Sequence, residues 1–129
     1  MRIIDALATF IDRNSTTAIT DVDTFYTESS ERFMIRQDPS IAVETRYFDG
    51  SRTGSFAYSI YAKSMNAQTA VAMLFEVEKL LDIPEGFDLE IGIQGIKNEI
   101  VQSAHFVTKT DKDEKIYTSS FMLDYYMEG

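Results

Sequence analysis

The sequence predicts an α+β fold: a mostly antiparallel sheet with a short N-terminal helix and one long helix packed on it. Two stretches carry apolar residues at helical spacing, and several others alternate apolar and polar residues, as half-buried strands do. Residues 47–66 are typical of a turn, a return strand and the start of a helix. Strands and helices come in blocks, so helices on one face of an antiparallel sheet are expected.

A chain of 129 residues can bury one core, so we predict a single domain over 1–129. Apolar residues at i, i+3, i+4 and i+7 predict an amphipathic helix over 2–13. Residues 14–30 are rich in Ser, Thr and Asp and are predicted to be mainly loop, with 18–22 the only possible strand. A strand over 32–36 should end at the turn residues 38–40.

The clearest prediction is a β-hairpin. Residues 42–48 and 55–64 alternate, and the second arm places Phe56, Tyr58 and other apolar residues on one face. Between the arms, Asp49-Gly50 and Gly54 supply residues that tolerate positive φ, which a reversal of twisted strands requires.

The second half of the chain begins with the predicted long helix. Asn66 is a good N-cap, and the apolar stripe that follows runs to Leu81, before a break at 83–86. Three further strands are predicted near 89–94, 99–108 and 115–127. The last two should be joined by a charged turn over 110–115.

Composition excludes several classes of function. The chain has no Cys, which rules out disulfides, thiolate zinc sites and cysteine nucleophiles. A net charge of −9 disfavours specific nucleic-acid binding, because an acidic surface repels phosphates. The N-terminal stretch contains Asp5 and Asp12, so we expect neither a signal peptide nor a membrane span, and an intracellular protein.

No motif in the sequence specifies chemistry. His105 could act as an acid or base, but as the only histidine in a predicted strand it is more often structural. The 111–114 turn has the alternating carboxylates of a calcium loop without its glycine and closing glutamate. The 50–55 loop could present N–H groups to a phosphate, yet it leads into a strand rather than a helix. An enzyme using Asp21 and Asp23 ranks last, and we predict no catalytic, cofactor or metal site.

A sheet covered by helices on one face cannot bury all of the aromatic residues in this sequence. They crowd the hairpin and the last strand, where Tyr125 and Tyr126 point to opposite faces. Aromatic residues and Arg are enriched at protein interfaces, so burial against another subunit is one explanation and helix cover on both faces is the other.

One family pattern matches the order of elements and these motifs. The run from Arg36 through Pro39, then YFDGSR at 47–52 and FAYSIYAKSMN at 56–66 leading into an Ala-rich helix, resembles minor capsid proteins of phages and prophages of low-GC Gram-positive bacteria. Those proteins are similar to tail terminators, α+β subunits of a hexameric ring that caps the tail tube of long-tailed phages and joins it to the head.

The resemblance implies a structural, non-enzymatic protein of the virion tail, assembled in the host cytoplasm. Its partners would be copies of itself, the tail tube protein and the head–tail connector, with DNA passing through the ring unbound. We expect seven interface residues: Arg46, Arg52, Lys63, Asp111, Asp113, Tyr125 and Tyr126. The alternative is a monomeric α+β domain that binds a small ligand between the sheet and the long helix.

Overall fold

The computed structural model describes residues 3–14, 21–22, 32–38, 43–82, 87–90 and 92–128. It confirms an α+β fold with a curled, mostly antiparallel sheet. In chain order, the helices and strands of these described ranges are α1 (Ile3–Asn14), β1 (Asp21–Val22), β2 (Arg32–Gln37), β3 (Val43–Arg46), β4 (Arg52–Ser64), α2 (Ala67–Leu81), β5 (Phe87–Glu90), β6 (Ile93–Lys109) and β7 (Lys115–Met127).

The sheet is built around β4 and β7, which pair antiparallel from Arg52–Met127 to Ser64–Lys115. The strand order is β1-β2-β4-β7-β6-β5, and β3 pairs with the N-terminal part of β4. Among the strands of the described ranges, only β1 and β2 pair in parallel. The described part of β1 lies within the 18–22 segment for which a strand was considered. Of the rest of the predicted 14–30 loop, Asn14 is instead the last residue of α1, and the other residues lie outside the described ranges.

Both helices form where their sequence signals predict. The side chain of Asn66 accepts hydrogen bonds from the N–H groups of Gln68 and Thr69, which satisfies free donors at the start of α2. The buried face of α1 contains the predicted apolar residues Ile4, Leu7 and Ile11. With 15 residues α2 has an ordinary length, so the long helix of the prediction is not confirmed.

The core lies between the helices and one face of the sheet. Along β4, alternate residues from Phe56 to Ala62 are buried, as the hairpin pattern predicts. Tyr58 stacks on Phe121 of β7 with ring centroids 5.2 Å apart. Leu74 and Val77 of α2 are also fully buried, so side chains fill the space between helix and sheet.

One polar pair is buried inside this core. The Tyr58 hydroxyl donates to Oδ1 of Asn98 at 2.9 Å, and Nδ2 of Asn98 donates to the Leu81 carbonyl at 2.7 Å. Burial raises the pKa of the Tyr58 hydroxyl, because the phenolate would be stranded away from water. The pair therefore joins β4, β6 and the end of α2.

Two predictions about glycines and strands were wrong. Residues 89–94 do not form one strand, because β5 ends at Glu90 and Gly92, with a φ of 84°, turns the chain into β6. Gly54 is not part of the hairpin turn, since it lies inside β4 and pairs with Glu44 and Tyr125. The turn itself uses Gly50, whose φ is 87°.

Gly95 has a different role, which depends on contact rather than on φ. A Cβ atom built at this position would overlap the ring of Phe87, which covers the glycine from β5. Phe87 also packs against Phe10 of α1, with ring centroids 5.3 Å apart. The bare backbone at Gly95 therefore lets β5 and α1 close over the start of β6.

We predict that Gly95→Ala lowers the free energy of unfolding by about 1–3 kcal/mol, because the added methyl group displaces the Phe87 ring. Urea denaturation measures this loss. The double variant Gly95→Ala with Phe87→Leu should recover part of it relative to Phe87→Leu alone. Equal losses in both backgrounds would show that the ring contact is not the cause.

We also predict that stability falls as the pH rises above about 10, the pKa of tyrosine in the unfolded chain. The folded protein keeps the Tyr58 proton above that pH while the unfolded chain releases it, so alkaline pH favours unfolding. Tyr58→Phe should flatten the decline in urea denaturation across this range, whereas Tyr47→Phe, at an exposed position, should not. Identical slopes for both variants would contradict this assignment.

Candidate functional site

The most unusual surface of the molecule is the outer edge of β6. On its inner side β6 pairs with β7 along its length, whereas β5 pairs only with its first residues, 93–95. Among the described residues, no strand pairs with the outer side of 96–109. This segment, which we call the β6 edge, therefore offers its outer backbone groups as a template for another strand.

Its side chains are as unusual as its backbone. Residues 100–108 read IVQSAHFVT and contain no Lys, Arg, Asp or Glu, in a chain of which 26% is charged. Natural edge strands are commonly protected by charged residues, especially Lys. Here instead Val101 is 60% exposed and Phe106 is 53% exposed, and three more apolar residues of β6 are exposed with them: Ile96, Ile100 and Val107.

The β6 edge is irregular but firmly anchored. Four register shifts against β7 leave β6 with more residues than its partner, which is the mark of β-bulges. At the shift between Gln102 and His105, the Ala104 N–H donates to the buried carboxylate of Glu78 on α2 at 2.8 Å. The hydroxyls of Ser103 and Ser119 donate to the same carboxylate at 3.2 and 2.9 Å. The carboxylate thereby ties the edge to the helix and to β7.

An apolar groove lies on the helix side of the sheet. It has a volume of about 400 Å³ and is lined by residues of α2 and by one residue of β7: Ala67, Gln68, Val71, Ala72, Phe75 and Tyr117. Phe106 of the β6 edge packs edge-on against Tyr117 with centroids 5.5 Å apart. The exposed Phe75 and Phe106 thus extend the apolar surface from the edge toward α2.

The structure brings three of the seven predicted interface residues together around Glu44 of β3. Arg46 Nε donates to its carboxylate at 2.9 Å, and the Tyr125 hydroxyl donates to it at the same distance. Arg52 Nε lies 3.9 Å from Glu44 Oε2, and Arg52 also contacts Sδ of Met127. The hydrogen bond from Arg46 is the main cause that lowers the pKa of Glu44, and burial raises that of Tyr125.

Three other predicted interface residues, Lys63, Asp111 and Asp113, lie near the C-terminal end of β4. A strand of 13 residues spans about 40 Å, which separates this end from the cluster around Glu44. Lys63 is only 6% exposed, with its Nζ 3.8 Å from Glu114 Oε2, so it is not the open side chain that alternation indicates. Asp113 lies between Lys109 and Lys115, and the hydrogen bond from Lys115 is the main cause that lowers its pKa. Asp111 is exposed in the same turn.

Tyr126, the seventh residue, is half-buried on the sheet face opposite Tyr125. It lines a small polar depression with residues of β5 and the Gly92 turn. The structure therefore places the seven residues in two clusters and one separate position. Their role in an interface stays a prediction.

The residues considered for chemistry have ordinary structural partners. His105 is exposed, and its Nδ1 contacts the Ser103 carbonyl oxygen at 2.9 Å. In the 50–55 segment, the N–H of Ser51 is held by the Asp49 carboxylate, which closes the hairpin turn. Asp23 lies outside the described residues. Within the described ranges, no group of three or more His, Asp or Glu residues could hold a metal ion, and no helix there is long and apolar enough to cross a membrane.

Comparison with known proteins adds no family assignment, because the chain matches neither a protein-family model nor a curated protein. The β6 edge and Glu78 were both missed by the sequence reasoning. A run of nine residues without a charge was the signal available for the edge. For Glu78 the available signal was its position, four residues after Leu74 and three before Leu81, on the apolar stripe of α2.

We predict that Glu78→Ala lowers the free energy of unfolding by about 1–3 kcal/mol, because the Ala104 N–H and the buried Ser119 hydroxyl lose their acceptor. Chemical denaturation tests the stability, and hydrogen exchange at Ala104 tests the cause, since its protection should fall more than that of β4. Lys79→Ala, at an exposed position on the same helix, is the control and should change little. Unchanged exchange at Ala104 would contradict the anchoring role.

Proposed function

We propose that the chain is a non-enzymatic assembly subunit that associates with copies of itself through the β6 edge. A single observation carries the proposal: an open, charge-free edge with exposed apolar side chains, anchored by a buried carboxylate. An edge of this kind is an aggregation hazard in a monomer. In an assembly it is a contact surface whose main-chain groups find partners.

The specific form we propose is a tail terminator or head–tail joining protein of a long-tailed phage or prophage. Copies would form a ring, six in the family that the sequence resembles, that caps the tail tube and docks to the head connector. A ring closes when each copy offers two different surfaces to its neighbours. The apolar β6 edge on one side of the sheet and the β3–β4 hairpin with its exposed Phe48 at another place supply two candidates.

The acidic character of the chain supports this form. With a net charge of −9, a ring of such subunits would repel DNA rather than retain it, which suits a conduit for a genome. The mechanism is steric and needs no cofactor, metal or membrane. The protein would act in the virion tail after assembly in the host cytoplasm.

The rival, a monomeric ligand-binding domain, required an apolar pocket between the sheet and the long helix. That space is occupied by Tyr58, Leu74 and Val77, each fully buried. The apolar groove beside Phe75 is open to solvent, and one of its lining residues, Tyr117, contacts Phe106 of the β6 edge. The packing thus favours an assembly surface over an enclosed binding site.

The first experiment is light scattering coupled to size exclusion over a wide concentration range, alone and with the tube protein encoded in a neighbouring reading frame. Negative-stain images of the largest species complete it. Rings with a central hole, or single caps on tube ends, are expected. A chain that neither forms rings nor binds tube ends would overturn the proposal.

We predict that Val101→Lys combined with Val107→Lys abolishes self-association, because charges directly on an edge disfavour strand pairing and need full hydration. The variant should keep its fold, since both side chains are exposed. Asn14→Lys adds a charge at the exposed end of α1 and is the control. If the β6 variant assembles like the native chain by light scattering, the edge is not the contact surface.

A further inference from the structure

We infer that the β6 edge binds the β6 edge of a second copy in an antiparallel, two-fold arrangement, with the axis between Ser103 and Ala104. This inference rests on the proposed function in one respect: both take the chain to associate with itself. It goes further, because it names the register and the residues that meet. It also assigns the pair to a stage before ring assembly.

The segment is chemically self-complementary about that axis. Starting at the axis and moving away from it in either direction, the chain has one small residue, one polar residue and two apolar residues. In one direction these are Ser103, Gln102, Val101 and Ile100, and in the other Ala104, His105, Phe106 and Val107. Antiparallel pairing of two copies then sets Gln102 opposite His105 and Val101 opposite Phe106. Cross-strand pairs of like polarity are the ones that stabilise sheets.

The side-chain faces agree with this register. In the β6–β7 ladder Gln102 pairs with Ser120 and His105 with Thr118, and these β7 residues lie two apart on one face. A two-fold axis perpendicular to the sheet keeps each face on its own side, so paired residues must share a face. Gln102 and His105 do so. A register centred on Ala104 itself would set Gln102 opposite Phe106, whose ring lies on the other face against Tyr117.

The charges that flank the neutral segment do not face like charges in the same register. Glu99 meets Thr108 of the second copy, and both lie on one face of the sheet, since they pair with Met122 and Ile116 of β7. The chain carries a net charge of −9, so a register that sets no acid opposite an acid avoids one source of repulsion between copies.

The anchoring by Glu78 prepares the centre of the contact. The Ala104 N–H is already used by the carboxylate, and the Ser103 hydroxyl donates to it as well. Ser103 and Ala104 therefore need no hydrogen-bond acceptor from the second copy for these two groups, and they keep one conformation before binding. Preorganisation of this kind lowers the entropy cost of association.

A two-fold pair cannot close a cyclic ring by itself, because both copies use the same surface. Pairing along a single edge also belongs to the smallest class of interface, which is reversible. The pair is therefore the form of the free subunit, in which each copy covers the edge of the other. The edge becomes available when the pair opens during ring assembly.

Cysteine cross-linking tests the register, and the native chain contains no Cys to interfere. In the inferred pair Gln102 and His105 of different copies face each other at a Cα separation of about 4.5–5.5 Å, which allows a disulfide. Mixed Gln102→Cys and His105→Cys chains should cross-link under mild oxidation, whereas each variant alone should cross-link at least several-fold less. A mixture of Gln102→Cys with Thr108→Cys is the matched control, since these positions do not meet.

Cross-linking in the first mixture and not in the control supports the inference, whatever the ring experiment shows. If that dimer forms and rings and tube caps do not, the proposed joining function fails and the pair stands. If rings form and no selective cross-link does, the pair is overturned and the function stands. A chain that stays monomeric at high concentration, or cross-links equally in both mixtures, also overturns the pair.

Discussion

The antiparallel ladder between β4 and β7 is the constraint on which the rest of the structure depends. It pairs every residue of β4 from Arg52 to Ser64, so the two strands form the centre of the sheet. The Tyr58–Phe121 stack lies on this ladder and forms the floor of the core beneath α2. Every other strand occupies a position outward from this centre, and among the described residues only the short β5 pairs with the outer side of β6.

Two buried polar side chains join α2 to the strands of the sheet and so fix the position of the β6 edge. Asn98 joins Tyr58 to the end of α2, and Glu78 joins α2 to the middle of β6. Buried polar groups with satisfied hydrogen bonds fix one arrangement where apolar contacts alone would allow several. The β6 edge is therefore held rigid although its side chains lie in water.

The aromatic residues raised the question of what covers a sheet with large side chains on both faces. Tyr58, Phe121 and Tyr125 are covered by the chain itself. Phe48, Phe75 and Phe106 are not, and they lie on the hairpin, on α2 and on the β6 edge. The first three aromatic residues are therefore explained by the core of the chain itself. The last three are left exposed, at positions that a neighbouring subunit could reach.

The sequence by itself determined the helices, the hairpin and the α+β class, because these depend on local spacing and caps. It predicted the buried faces of α1 and β4 correctly for the same reason. The roles of the glycines were less predictable. Gly92 has a positive φ and turns the chain, whereas Gly54 lies inside β4 and pairs with Glu44 of β3. Of the charged residues chosen from the sequence, Lys63 proved to be buried.

Only the tertiary structure decided which strand lies at an edge and which groups the Glu78 carboxylate binds. Both depend on contacts between residues far apart in the sequence, and alternation along one strand carries no record of what lies beside it. The charge-free run at 100–108 was visible from the start, but it has the same composition as a central strand. It lies at an edge because, among the described residues, the outer side of β6 pairs only with β5, and only at residues 93–95.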